Sequence, residues 1–173
     1  MKKLIALLLL AVLLCSMVAC NNDPTPDGMQ NVSIDTAPYN LYVPQNWITN
    51  ASSERSSARA PVQHSAPNVA VDMLFPEGVL TAEDYWKNYC VPEYTATLGS
   101  ITVIEDGADT VLGGKDAKQY TYTFTLGLDT HKQTQIIVVS GYQVYILTYA
   151  ALADTYDTYA ADFGEIVKQF TFK

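Results

Sequence analysis

The stretch KQYTYTFTL, residues 118–126, decides the fold. Tyr120, Tyr122, Phe124 and Leu126 fall on one side of an extended chain, and Gln119, Thr121, Thr123 and Thr125 fall on the other. That period of two is the signature of a β-strand with one packed face. Downstream, TQIIVV (134–139) and YQVYILTY (142–149) flank Ser140-Gly141, and their nearly continuous Ile, Val, Tyr and Leu content predicts strands in the middle of a sheet. Upstream, a short strand at 101–104 leads to Asp106-Gly107, read as a tight hairpin pair, then Val111-Leu112 returns and Gly113-Gly114 turns again. The whole reads as an antiparallel meander.

Further out, Val69, Val71, Met73 and Phe75 alternate with Ala70, Asp72 and Leu74 to give another strand, closed by Pro76-Glu77-Gly78. Thr81 is a fitting N-cap, Glu83 and Asp84 suit the first turn of a helix, and Leu80 is placed to staple against Tyr85. That helix is expected to bury Tyr85, Trp86, Tyr89 and Cys90, with Pro92 ending or kinking it and Gly99 closing the turn that follows. At the C-terminus, Tyr156, Tyr159, Phe163, Ile166 and Phe170 recur at spacings of three and four, predicting a helix over 154–169 whose apolar stripe docks on the sheet, with a short extended tail after it. An extended segment from Tyr39 to Pro44, followed by Trp47, opens the domain, and the serine-rich stretch 49–67 reads as a loop or marginal edge strand. Arg55 and Arg59, the only arginines, both lie in it. The fold class is α+β, a central antiparallel β-sheet with helices packed on its faces.

The N-terminus carries an address. Met1-Lys2-Lys3 is followed by 11 uninterrupted apolar residues, Leu4 to Leu14, too few for the ~20 that span a bilayer as a helix. Met17-Val18-Ala19-Cys20 then sets a small residue directly before a cysteine, and Asn21, Asn22, Asp23 and Pro24 end the hydrophobicity. This is similar to a bacterial lipoprotein signal, in which the cysteine thiol receives diacylglycerol and the chain is cut before it; bulky Leu14 disfavours Cys15 for that role. The expected organisation is a signal peptide at 1–19, a lipidated Cys20 with a flexible tether to residue 38, and one domain at 39–173. Several acyl chains, each buried methylene contributing ~0.8 kcal/mol, would hold the protein on a membrane where a single chain exchanges off. The polar, proline-containing tether, about 18 residues long, would reach roughly 25 Å.

The 173 residues carry 18 acidic and 10 basic side chains, a net charge of −8. Removing Lys2 and Lys3 with the leader makes it −10, and such a chain offers no clustered cations for nucleic acid. Catalytic chemistry is equally sparse. Cys90 is the one thiol remaining beside Cys20 and the leader's Cys15, so no intrachain disulfide is expected, and a buried apolar thiol is the favoured reading. His64 and His131 are the only histidines, one in the serine-rich loop and one in what reads as a turn at 129–132; neither accompanies a nucleophile motif. One thiol and two distant histidines do not make a zinc set, Glu105-Asp106 with Asp109 lacks the calcium-loop order, and Gly113-Gly114-Lys115 lacks the remaining residues of a phosphate loop. No catalytic residue, metal or cofactor is therefore expected. Among the 12 tyrosines, Tyr145 and Tyr149, together with Trp47, are candidates to line a ligand groove.

The order of elements resembles the PsbP-like superfamily, which includes the photosystem II extrinsic subunit, Mog-type Ran-binding proteins, and envelope lipoproteins of the DcrB and LpqN kinds. The resemblance rests on Tyr39-x-Leu41-x-Val43-Pro44-x-x-Trp47, the strand around Val69, the helix after Thr81, and Gly114 before the long tyrosine strand. It continues through Gly141-x-x-x-Tyr145-x-Leu147-Thr148-Tyr149 and Tyr159-x-x-x-Phe163-x-x-Ile166-x-x-x-Phe170, and so covers residues 39–173. It implies an α-β-α sandwich and no shared chemistry, since these positions are core aromatics and turns. The expected function is that of a non-enzymatic accessory module outside the cytoplasm, held on the cell membrane by its N-terminal lipid and engaging a protein partner in the envelope. The alternative is a binder of a small ligand, lipid or glycan in an aromatic-lined cleft between sheet and helix.

Overall fold

A computed structural model describes residues 25–53, 55–78 and 81–173. Seven strands form one antiparallel sheet: β4 (Ile48–Ala51), β5 (Arg55–Arg59), β6 (Asn68–Leu74), β7 (Thr102–Leu112), β8 (Lys115–Leu126), β9 (Asp129–Ser140) and β10 (Gln143–Leu152), in the spatial order β4-β5-β6-β10-β9-β8-β7. The central position of β10, β9 and β6 agrees with their apolar content on both faces. Two-residue periodicity assigns Val71, Leu147 and Ile136 to one face, and Asp72, Ile146, Ile137 and Tyr120 to the other.

The first face is covered by α2 (Ala160–Gln169), entered through a 3₁₀ turn at Tyr156–Tyr159, and by three short strands, β1 (Met29–Asn31), β2 (Tyr39–Asn40) and β3 (Tyr42–Pro44). The C-terminal β11 (Thr171–Phe172) pairs antiparallel with β2, fastening the C-terminal tail to the N-terminal part of the domain. Tyr39 stacks on Phe170 with centroids 5.6 Å apart and donates its hydroxyl to Ser56 Oγ at 3.1 Å. Here the structure corrects the expected tether. Met29–Asn31 is in register with Tyr42–Pro44, and Val32 and Ala37 are buried, so the fold begins well before residue 39. Few apolar residues suffice because the segment adds to a core that already exists. Residues 1–24, with the signal and Cys20, lie outside the described residues.

The second face is covered by α1, a single helical rod made of Ala82–Tyr85, a π-helical turn Trp86–Cys90 and Val91–Leu98. Thr81 caps it as expected, its hydroxyl accepting the Asp84 amide at 3.0 Å. Leu80, the expected staple, lies outside the described residues. Pro92 does not end this helix. The Val91 amide donates to Trp86 O, five residues back, and that wider turn accommodates a proline lacking its own N–H. The additional residue also changes the facing of the rod: Trp86 and Cys90 are buried while Tyr89 is 41% exposed, against the expectation that it packs inside.

Three turn assignments change as well. Asp106-Gly107 is no hairpin: Gly107, at φ +78°, is an extra residue between the pairs Asp106↔Tyr120 and Ala108↔Gln119, so β7 runs on through a bulge. A positive φ serves a bulge as well as a turn, and the sequence motif cannot tell the two apart. His131 lies within β9, the turn being at Gly127-Leu128, and Tyr142 is a 90% exposed turn residue next to Gly141.

Candidate functional site

The two halves of the second face differ. α1 lies over β8 and β9, where the Trp86 indole stacks on Tyr120 at 4.3 Å and Tyr94 stacks on Tyr122 at 5.4 Å. Beyond the helix, β5 and β6 carry Arg55, Ser57, Arg59, Asn68 and Asp72 toward solvent, and β4 beside them is exposed throughout. A shallow depression of about 460 Å³ runs over this half, bordered by Arg55, Arg59, Asn50 and Asn68.

Between α1 and the sheet is a cleft of about 340 Å³, with Tyr85, Tyr89 and Tyr94 from the helix and Leu74 and Ile146 from the strands. Asp72, Glu93 and Gln135 supply its polar groups. Tyr85 and Tyr89, one turn apart, stack at 5.1 Å with planes 10° from parallel, and the Tyr89 hydroxyl is fixed by donating to Glu77 O at 2.9 Å. Gln135 Nε2 donates to the Tyr94 hydroxyl at 2.7 Å and to Thr148 Oγ1 at 3.3 Å. Gln135 Oε1 is buried with no hydrogen-bond partner among the described residues, a condition that costs about 1–3 kcal/mol if nothing fills it.

Asp72 sits at the junction of cleft and open face. Burial pushes its carboxyl above the usual aspartate range, and Arg55 Nη1, 3.1 Å from Oδ1, only partly counters this. Burial likewise lifts the Tyr85 phenol to about 12 and the Cys90 thiol to about 11, with Tyr94 as a hydrogen-bonding neighbour of the sulfur. A thiol so raised is protonated at neutral pH and is a poor nucleophile. His131 stacks on Phe124 at 5.3 Å and His64 is exposed in the loop after β5; neither lines the cleft.

The groove expected at Trp47, Tyr145 and Tyr149 is not formed. The three are 4%, 3% and 0% exposed and share the other core, beneath α2, where Tyr149 stacks on Phe163 at 4.9 Å and donates to Tyr156 O at 2.7 Å. Tyr145 and Tyr149, four apart on β10, share one strand face, and that face is fully roofed. The aromatic cleft lies on the opposite face, and the tyrosines lining it come from α1. Gln135 gave no signal in the sequence, because it closes the polar run Lys132-Gln133-Thr134-Gln135 that precedes the apolar Ile136 to Val139. The remaining motifs are structural. Glu105 accepts Gln119 Nε2 at 2.6 Å, Asp109 pairs with Lys118 at 2.8 Å, and Lys115 lies 4.9 Å over the Phe172 ring. No cluster of three metal-ligating side chains occurs among the described residues.

A seven-stranded antiparallel sheet held between α1 on one side and α2 with the paired termini on the other is the PsbP-like fold. The cyanobacterial PsbP protein CyanoP of Synechocystis sp. PCC 6803 is similar to this chain with a TM-score of 0.65 and 14% identity, over 91% of this chain and 99% of its own. LpqN of Mycobacterium tuberculosis, described as involved in cell envelope biogenesis, gives 0.61 and 19%, over 84% and 90%. The Ran-binding protein Mog1p of Saccharomyces cerevisiae gives 0.58 and 11%, over 83% and 95%. No family model and no curated protein sequence matches the chain.

Proposed function

We propose that the protein is a non-enzymatic binding module of the bacterial cell envelope, held outside the cytoplasm by lipid on Cys20, and that it engages an acidic segment of a partner protein through the open half of its sheet. The observation that carries the binding surface is the placement of Arg55 and Arg59. On a chain of net charge −8, the only two arginines lie four apart on β5, hence on one face, bordering the depression that α1 leaves uncovered. Guanidinium groups so presented favour carboxylates. The rest of the acidic surface repels such a partner, so binding is confined to this spot. LpqN's described role in envelope biogenesis and Mog1p's description as Ran-binding fit a fold used for attachment, although fold by itself does not carry function. No helix among the described residues is long and apolar enough to cross a membrane, so the proposed attachment rests on Met17-Val18-Ala19-Cys20.

The test is cross-linking in intact cells from a photoreactive residue at Ser57, followed by the same capture with Arg55 and Arg59 both changed to Glu. A captured protein lost on charge reversal, while Asn21→Gln leaves it in place, supports the reading. Capture indifferent to charge reversal contradicts it.

A second reading, binding of a small ligand, is favoured by a different observation: the cleft under α1, with three tyrosines and an unfilled buried acceptor.

A further inference from the structure

The α1 cleft has a consistent chemistry. Its walls are the rings of Tyr85, Tyr89 and Tyr94 with the aliphatic side chains of Leu74 and Ile146. Both ionisable carboxyl side chains that line it, Asp72 and Glu93, are acceptors when charged, and Arg55 meets Asp72 from the open-face side without lining the cleft. At its sheet side, Gln135 is 3% exposed; its Nε2 donates to the hydroxyls of Tyr94 and Thr148, and its Oε1 has no partner among the described residues.

Each of these features selects for the same ligand. The faces of aromatic rings attract cations, carboxylates attract them at longer range, and an orphaned carbonyl oxygen needs a hydrogen-bond donor. The net negative charge of the molecule raises the local concentration of cations around it. The apolar wall adds room for a hydrocarbon body, and 340 Å³ is at the small end of ligand sites. A purely apolar ligand would leave Gln135 Oε1 unsatisfied, and an anion would face two carboxylates.

We propose that this cleft binds a small organic ammonium ion, its N–H donating to Gln135 Oε1, its charge facing Asp72 and Glu93, and its apolar body lying against Tyr85, Tyr89 and Leu74. This rests on the second reading above, that the cleft is a ligand site at all.

The probes are benzylammonium, its neutral isostere benzyl alcohol and its charge-reversed relative benzoate, titrated into the full-length protein in non-ionic detergent. The readouts are the NMR signals of the Gln135 side-chain amide and the Trp86 indole. Benzylammonium is expected to saturate both signals at a concentration at least about tenfold lower than benzyl alcohol, a difference of ~1.4 kcal/mol, with benzoate without effect. Glu93→Gln, at an exposed position that leaves the fold intact, should weaken benzylammonium several-fold and benzyl alcohol little. Gln135→Met, which keeps the volume and removes the acceptor, should weaken both, with thermal melting confirming that the variant is folded. Equal saturation by benzylammonium and benzyl alcohol would overturn the ammonium assignment while leaving a ligand cleft. No shift with any probe would overturn both, and an unfilled Oε1 would then be satisfied by water alone.

Discussion

The Trp86 indole lies face to face on the Tyr120 ring, centroids 4.3 Å apart and planes 13° from parallel. This contact joins α1 to β8, and the surrounding Tyr94, Tyr122 and Cys90 form a second hydrophobic core separate from the larger one under α2. The cleft exists because α1 is held at this distance from the sheet by large rings. Trp86→Ala should therefore cost about 3–5 kcal/mol, the range for truncating a buried aromatic. Urea denaturation measures this, and hydrogen exchange should show α1 amides losing more protection than those of α2. Equal loss in both helices would mean that the two cores do not behave as separate layers.

The turn between β7 and β8 contains two glycines with positive φ, +55° at Gly113 and +79° at Gly114. Only the first is crowded: a Cβ on Gly113 would meet Phe172 Cδ2 at 2.8 Å and Phe170 Cδ1 at 3.1 Å, whereas one on Gly114 would meet nothing within 4 Å. Both alanine variants carry the backbone strain of about 1–2 kcal/mol expected for an L residue there. Gly113→Ala should lose clearly more, by displacing the C-terminal strand from β2, and paired thermal melts decide the order.

Cys90, Tyr85 and Tyr120 all have folded-state pKa values raised by burial, to about 11, about 12 and about 12. The sign follows directly. Each group is neutral when protonated, and the unfolded chain releases its protons first, near pH 9 for the thiol and pH 10 for the phenols. Stability is thus intact below pH 9 and falls as pH rises toward 11 to 12. The tyrosinate absorbance of the buried tyrosines should appear together with the loss of near-ultraviolet circular dichroism. At pH 8, Cys90 should react with iodoacetamide much more slowly than the same residue in urea; rapid labelling of the folded protein would revive a reactive thiol.

Much of the sheet was legible because its signals are local. Tyr120, Tyr122 and Phe124 alternate, Thr81 with Asp84 makes a cap, and Gly113-Gly114 makes a turn, each within a few residues. What was not legible depends on distant partners. Whether Tyr149 is open or roofed depends on Phe163 of α2 and whether Tyr145 is depends on Tyr39 and Phe172, whether Gly107 turns or bulges depends on the continued pairing of Asp109 with Lys118, and whether Met29–Asn31 is tether or strand depends on β3. Pro92 was expected to end or kink the helix; that the helix instead runs on, through a π turn at Trp86–Cys90, depends on the packing of Trp86 and Cys90 on the sheet. The cleft belongs to the same class: its residues come from α1, β6, β9 and β10, and no sequence spacing connects Tyr89 to Gln135.

The proposed attachment is tested most directly by the intact mass of the protein extracted from the membranes of the cells that make it. The account predicts a chain starting at Cys20 and carrying the added mass of a diacylglyceryl thioether, and with Cys20→Ala the protein should leave the membrane fraction. A chain retaining residues 1–19, or one cut there with no lipid mass, would contradict it.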